Sequence, residues 1–468
     1  MINTKKTKII CTVSDNNCEV DFLRSLYENG MDVVRLNSAH ASIEGAQKVV
    51  DNVRAVSDKI AILIDTKGPE IRLTPMDSTA GFVLKQGERI SFMDSTEGLC
   101  SHAGLYTNCK SFVKDIPEGA HILIDDGSAD LLVVEKQNDR LVCEAQNTAA
   151  IKGRKSINVP GVEIELPSLT DKDRMFINWA IDADIEFVAH SFVRSSKDLE
   201  EINEIIRSRD SHLKIISKIE NQQGIDNLEE ILNECYGVMI ARGDLGVEIP
   251  AERIPHIQKL MIQKCRARKK PVIVATQMLH SMIDNPRPTR AEVTDVSNAI
   301  AQRADAIMLS GETAYGQYPV EAVRTMCRIA EESERYIDVS LDVNLEKVTK
   351  PIAAVLARSI VGATEEIPVK AIIFDTWTGR TGRYLAEFRP KVPIYAMCYN
   401  GFTMRELALT YDVYGYKFDI TGTKEGFVQN SIKILLEDGK IAKGDLVGFI
   451  GGSFNDVLGA TYMEFKYV

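Results

Sequence analysis

The chain has 468 residues, more than one hydrophobic core ordinarily serves, so two to four domains are expected. Apolar residues at 44% and charged residues at 26% are those of a globular protein in water. Lys plus Arg number 56 against 67 Asp plus Glu, a formal charge of −11, and no basic run offsets it, which argues against nucleic acid or a membrane surface as partner. Nine Cys contain no Cys-x-x-Cys pair, so neither a zinc ribbon nor a disulfide framework is indicated. With no leader-like segment and no long apolar run, a reducing cytoplasm is the expected compartment.

Short β-rich apolar runs alternate with longer amphipathic ones, the pattern of βα units. Strands are predicted at 7–13, 32–36 and 60–65. Residues 73–158 then break the pattern with short apolar runs and Gly-rich turns, and read as a small all-β domain inserted after the third strand. The βα pattern resumes with strands at 185–190, 214–219, 237–241, 271–275 and 305–309, and helices such as 196–208 and 252–269. Eight such strands favour a (β/α)₈ TIM barrel over an open sheet. After residue 345 a separate α/β pattern begins, with strands near 370–374, 393–397, 446–450 and 461–467. The expected domains are therefore 1–72 with 159–340 (barrel), 73–158 (insert) and 345–468 (C-terminal).

Barrel chemistry sits at the carboxyl ends of the strands. Those ends carry Arg35, Asn37, Asp65, Thr66, Ser191, Lys218, Glu220, Asp244, Thr276 and Ser310. Lys218 and Glu220 are two apart on one strand and point to the same side. Asp244, after the next strand, stands where a second carboxylate joins Glu220. Two carboxylates with water and substrate oxygens suit Mg²⁺. Arg35 and Arg72 offer forked donors to a phosphate. Metal, Lys and Arg around one anion make a phosphoryl-transfer constellation; a plain ion pair at a strand end is the alternative. Asn37, Asp65 and Thr66 suit either a monovalent cation or simple loop-capping bonds. There is no Walker A run and no G-x-G-x-x-G after a strand. The run TWTGRTGR (376–383) follows a strand and opens a helix, so Thr376, Thr378, Gly379, Arg380 and Thr381 suit an anion; a helix capped by Thr378 or Thr381 is the other reading.

Taken in order, TKIICT, RLN with His40 three residues on, DTKGPEIR, DDG, INVPG, SKIEN, ARGDLG, ATQML, NPRPTRAEVTDVSNAI and LSGETAYGQYP resemble the pyruvate kinase family over nearly the whole chain. The resemblance implies a barrel, a small β-barrel lid and a C-terminal domain, with phosphoenolpyruvate and ADP/ATP as substrates. It implies Mg²⁺ (or Mn²⁺) on Glu220 and Asp244, and K⁺ on Asn37, Asp65 and Thr66. Lys218 is then the transition-state cation. Gly243 and Asp244 bind substrate with Arg35 and Thr276, Thr276 also in a proton relay. Asn37, His40, Arg72 and Lys155 serve the nucleotide side. A homotetramer with an effector site in the C-terminal domain is also implied. Three departures stand out. Ala39 replaces a Ser expected on K⁺, Ser14-Asp15-Asn16 replaces the usual G-P-A, and His280 replaces an acidic residue. Two other readings compete: a metal-dependent barrel C–C lyase, and a catalytically silent phosphometabolite sensor.

Overall fold

The computed structural model describes residues 5–420, 422–452 and 459–468. Eight parallel strands close a barrel in sequence order. They are β1 Lys8–Thr12, β2 Val33–Asn37, β3 Ala61–Asp65, β4 Phe187–His190, β5 Lys214–Ile219, β6 Gly237–Ala241, β7 Val272–Ala275 and β8 Ala306–Leu309. Each lies within two residues of its predicted limits. Strand alternation sorts their side chains into two cores. Ile10, Leu63, Phe187, Ile216, Met239 and Ile273 fill the barrel interior. Ile9, Val34, Ile62, Val188, Ile215 and Val238 pack outward under the helices.

Helix starts are fixed by side chains. Thr170 with Asp173, and Thr289 with Glu292, form reciprocal capping boxes that satisfy free N-terminal amides. Asp173 also holds a neighbouring loop. Its Oδ1 accepts the Lys67 N–H at 2.9 Å, fastening the segment after β3 to the helix Asp171–Asp182.

Between β3 and β4 the chain builds an antiparallel five-stranded sheet and a two-stranded ribbon. These enclose their own core of Leu84, Phe92, Leu105, Leu131 and Leu141. The C-terminal sheet has five strands: Val413–Lys417, Ile394–Cys398, Val369–Thr376, Leu446–Gly452 and Ala460–Tyr467 in spatial order. The first of these escapes the sequence reading because Gly415 sits at its centre, a residue that weakens a strand pattern. The structure gives the reason for the glycine: a Cβ there would lie 2.7 Å from Met404 Cγ and 2.9 Å from its carbonyl oxygen.

The C-terminal domain closes the floor of the barrel. Leu409 enters the interior core beside Phe187 and Ile216. Arg389 Nη1 donates to Asp305 Oδ1 at 2.9 Å, just before β8, and Arg405 pairs with the fully buried Glu186, just before β4. Among the described residues no helix is long and apolar enough to cross a membrane.

Candidate active site

Lys218 stands at the centre of the barrel mouth. Its Nζ donates to Ser191 Oγ at 2.8 Å and lies 2.9 Å from Glu220 Oε1 and 3.2 Å from Asp65 Oδ1. Burial works against the ammonium, but Asp65, Glu220 and Asp244 outweigh it, so the amine is held above its ordinary range and stays charged. Asp65 is also buried, yet Lys218 and then Arg35 pull its carboxyl below the usual value. Arg35 Nε donates to Asp65 Oδ2 at 2.8 Å, and its Nη1 donates to Thr12 Oγ1 at 3.2 Å. Residues from β1, β2, β3 and β5 thus meet in one hydrogen-bonded cluster.

Glu220 behaves differently. Burial raises it most, Lys218 opposes, and the nearby Asp244 charge raises it further. Its Oε2 accepts the Phe192 N–H at 2.7 Å. Its buried Oε1 touches Lys218 as an ion contact whose angles do not make a hydrogen bond, so that oxygen has no aligned donor. Lys218 and Arg35 face three carboxylates here, Asp65, Glu220 and Asp244. An orphaned carboxylate oxygen in a net negative site is what a hard divalent cation needs. Among the described residues no cluster of three or more His, Cys, Asp or Glu could hold an ion alone.

Thr276 follows β7 with φ 69°, and Gln277 with φ 55°. A β-branched residue in the left-handed region costs about 1–3 kcal/mol and persists only where surroundings impose it. Here they do. Thr276 Oγ1 accepts the Gly243 N–H at 2.7 Å and donates to Ala275 O at 2.6 Å, and Arg242 Nη2 donates to the Thr276 carbonyl at 2.7 Å. The Gly243 amide expected near substrate is therefore engaged by Thr276.

A cleft of about 120 Å³ separates the barrel mouth from the inserted domain; Glu70, Asp126, Asn158, Arg194, Glu220, Asp244 and Glu248 line it. The nucleotide-side candidates take other partners. Arg72 bonds Glu70 and the Arg154 carbonyl, Lys155 pairs with Asp125 at 2.9 Å, and His40 is exposed. Asn37 Oδ1 accepts the Ala39 N–H at 3.1 Å and Thr66 Oγ1 accepts the Ser191 N–H at 3.0 Å. Both are loop-capping bonds, though each oxygen keeps a further lone pair. Asn37 and Asp65 are register partners on β2 and β3. The altered loop at Asp15 packs against Gly45, where any Cβ would meet Asp15 Oδ2 at 2.3 Å.

Sequence reasoning placed Ser191 on the rim but gave it no role. Its hydroxyl receives the Lys218 ammonium and donates to the Thr66 carbonyl at 2.7 Å. Asn158, within INVPG, and Glu248 were given no role; only their meeting across the cleft singles them out.

In the C-terminal domain a cavity of about 300 Å³ is lined by Lys350, Asp375, Thr376, Thr378, Arg380 and Thr381, among others. Thr376 Oγ1 accepts the N–H groups of Thr378 at 3.2 Å and Gly379 at 2.8 Å. Gly379, at φ 68°, precedes the helix Arg380–Glu387, which has no side-chain cap. The capping reading for Thr378 or Thr381 is thus corrected. Arg383 Nη1 is taken up by Glu406 Oε1 at 2.7 Å and by the Thr378 carbonyl at 3.2 Å. Of the loop 451–457, residues 453–457 lie outside the described residues.

Carboxylates, a buried ammonium and a guanidinium converge on the carboxyl ends of (β/α)₈ strands, the place and charge pattern of a TIM-barrel enzyme acting on an anionic substrate. Residues 4–323 match the family described as pyruvate kinase, barrel domain, and residues 354–463 match pyruvate kinase, alpha/beta domain. A pyruvate kinase of Borreliella burgdorferi is 45% identical, over 99% of this chain and 98% of the relative. One from Geobacillus stearothermophilus is 42% identical, over 96% and 78%. The crystal structure of a pyruvate kinase from Cryptosporidium parvum superposes with TM-score 0.93 at 35% identity, covering 99% of this chain and 96% of that one. The chain belongs to the pyruvate kinase family. The lyase and silent-sensor readings find no support.

Proposed function

We propose that this chain moves the phosphoryl group of phosphoenolpyruvate to ADP at the barrel mouth, giving pyruvate and ATP. The observation that carries this is the buried Lys218 ammonium, held by Ser191, Asp65 and Glu220. Phosphoryl transfer asks a protein for alignment and fixed charge rather than covalent chemistry. Lys218 donates to the oxygens of the transferring phosphoryl group as charge spreads over them, and Asp65 and Ser191 keep it aimed. Arg35, locked on Asp65, grips the substrate phosphate. Glu220 and Asp244 would hold a divalent ion, Mg²⁺ or Mn²⁺, which would supply positive charge to the transferring phosphoryl group. Asn37, Asp65 and Thr66 are assigned to K⁺. Thr276 lines the substrate, its hydroxyl placed to hand on the proton that enolpyruvate takes up. Arg72, His40 and Lys155 face the nucleotide, with Arg72 and Lys155 leaving their carboxylate partners when the nucleotide phosphates arrive. The 345–468 domain carries an effector site, and the working form is a cytoplasmic homotetramer. A pyruvate-coupled assay with and without ADP tests the reaction: pyruvate formed at the full rate without ADP contradicts it.

A further inference from the structure

The return strand of the lid, Ile157–Asn158, pairs with His121–Ile124 inside the lid sheet. Asn158 also reaches out of that sheet: its Nδ2 donates to Glu248 Oε1 at 2.9 Å. Glu248 ends the helix Arg242–Glu248, which also carries Gly243 and Asp244. Four residues apart on a helix, Asp244 and Glu248 share a face, and both line the cleft with Glu220.

Two backbone bonds at the root of the lid join its two connecting segments to each other. The Ile157 N–H donates to Ile71 O at 2.8 Å, and Leu73 N–H to Lys155 O at 2.9 Å. Those bonds travel with the lid. The Asn158–Glu248 bond instead crosses from the lid to the barrel. Burial holds the Glu248 carboxyl above its ordinary range, and the Asn158 amide opposes that. The amide thus offsets part of the cost of burying the charged carboxylate.

We propose that Asn158 and Glu248 form a latch that seats the closed lid on the helix bearing Gly243 and Asp244, so that closure and placement of the Asp244 carboxylate occur together. The latch rests on the reading of residues 73–158 as a lid over the phosphoryl-transfer site. Neither side chain is assigned a contact with reacting atoms; both are positioning residues. Breaking the bond leaves a desolvated carboxylate without its donor. The lid then spends more time open, and apparent substrate affinity falls with the closed fraction.

The test is a swap. Asn158→Asp sets a second carboxylate against Glu248 and drives the pair apart. In the double variant Asn158→Asp/Glu248→Gln the bond re-forms with roles exchanged, the Gln Nε2–H donating to the Asp carboxylate. Initial rates are measured with ADP and phosphoenolpyruvate varied separately at saturating Mg²⁺ and K⁺, with thermal midpoints alongside. Asn158→Asp is expected to raise the KM for ADP by roughly tenfold or more, with a smaller change in kcat, and the double variant to return toward wild type. Hydrogen exchange at residues 121–124 under both substrates should rise in the single variant and recover in the double. A purely structural role moves the thermal midpoint and leaves KM in place. Wild-type KM in Asn158→Asp, or a double variant no better than the product of the two singles, overturns the latch. Should Asn158→Asp not fold, Glu248→Ala against Glu248→Gln decides, since only Gln retains an acceptor for the Asn158 amide: equal KM values overturn the latch. Lys218→Met is measured in parallel, because near-normal turnover there indicts the site reading and not the latch.

Discussion

Lys218 can be replaced by Met with little change in length, removing only the charge. Its ammonium now satisfies Ser191 and offsets Asp65 and Glu220. Without it the transferring phosphoryl group loses a fixed partner in a site poor in water, and turnover is expected to fall roughly 10²-fold or more. Ketonisation of added enolpyruvate should persist, since the carboxylates proposed to hold the metal remain. Near-normal phosphoryl transfer in purified Lys218→Met would refute the role. Ala39 carries a second prediction. With Asn37, Asp65 and Thr66 proposed to hold K⁺, activity is expected to depend on K⁺. Ala39 offers no hydroxyl, and a bridging water replaces one at modest cost, so K⁺ binding is expected to be weak. Titrating KCl at constant ionic strength against a large organic cation checks this. Ala39→Ser should lower the K⁺ concentration needed, and full activity with neither K⁺ nor NH₄⁺ would contradict the dependence.

The segment Thr376–Arg383 is a regulatory element on this reading, and its local geometry says which ligand suits it. Thr376 folds the turn onto its own hydroxyl, and Gly379 in the left-handed region leaves the amides of the helix Arg380–Glu387 without a side-chain cap. Free amides and a favourable helix dipole suit one phosphate. Arg380 and Lys350 add positive charge at the cavity wall, while Asp375 faces the same space. Arg383 is committed to Glu406 and is not available. The 451–457 connection carries no Lys or Arg, only Asp456. A monophosphate is therefore expected to activate better than fructose-1,6-bisphosphate, with a coupling of about 1–3 kcal/mol seen as a lower half-saturation for phosphoenolpyruvate. Saturation curves with glucose-6-phosphate, ribose-5-phosphate, AMP and the bisphosphate decide. Activation by the bisphosphate alone would show the charge argument to be wrong.

The barrel and C-terminal domain are joined across the floor by Leu409 and by buried ions. Such a joint should respond to pH. Asp412 lies there fully buried, 3.3 Å from Lys6 Nζ, and burial pushes its carboxyl from 3.8 up to about 7 against the pull of Lys6 and Lys8. In the folded state it thus holds its proton where the unfolded chain has lost it. Its contribution to stability is full below about pH 4 and is lost as pH rises toward about 7. Thermal midpoints across that window should fall with rising pH, and Asp412→Asn should flatten the slope. A wild-type slope in Asp412→Asn would exclude Asp412 as its source. Asp65, with a depressed carboxyl, acts in the opposite sense: its contribution is lost as pH falls below the usual carboxylate value.

Much is legible in the residues alone. The eight barrel strands announce themselves because most are buried on both faces and so read as short, largely apolar runs. Lys218 and Glu220 are paired by strand alternation alone, a strictly local rule. Long ordered motifs carried the family. What local patterns do not encode is which oxygen of a distant residue a donor meets. The Ser191–Lys218 bond, the Thr276 hydroxyl on the Gly243 amide and the Asn158–Glu248 bridge each join segments more than 25 residues apart. The strand Val413–Lys417 was hidden for the same reason, since its glycine is required by Met404 on another element rather than by the strand itself. The engagement of Arg383 was likewise set by Glu406, a carboxylate 23 residues on. Periodicity fixes which face a residue takes; only the packed fold decides what it meets there.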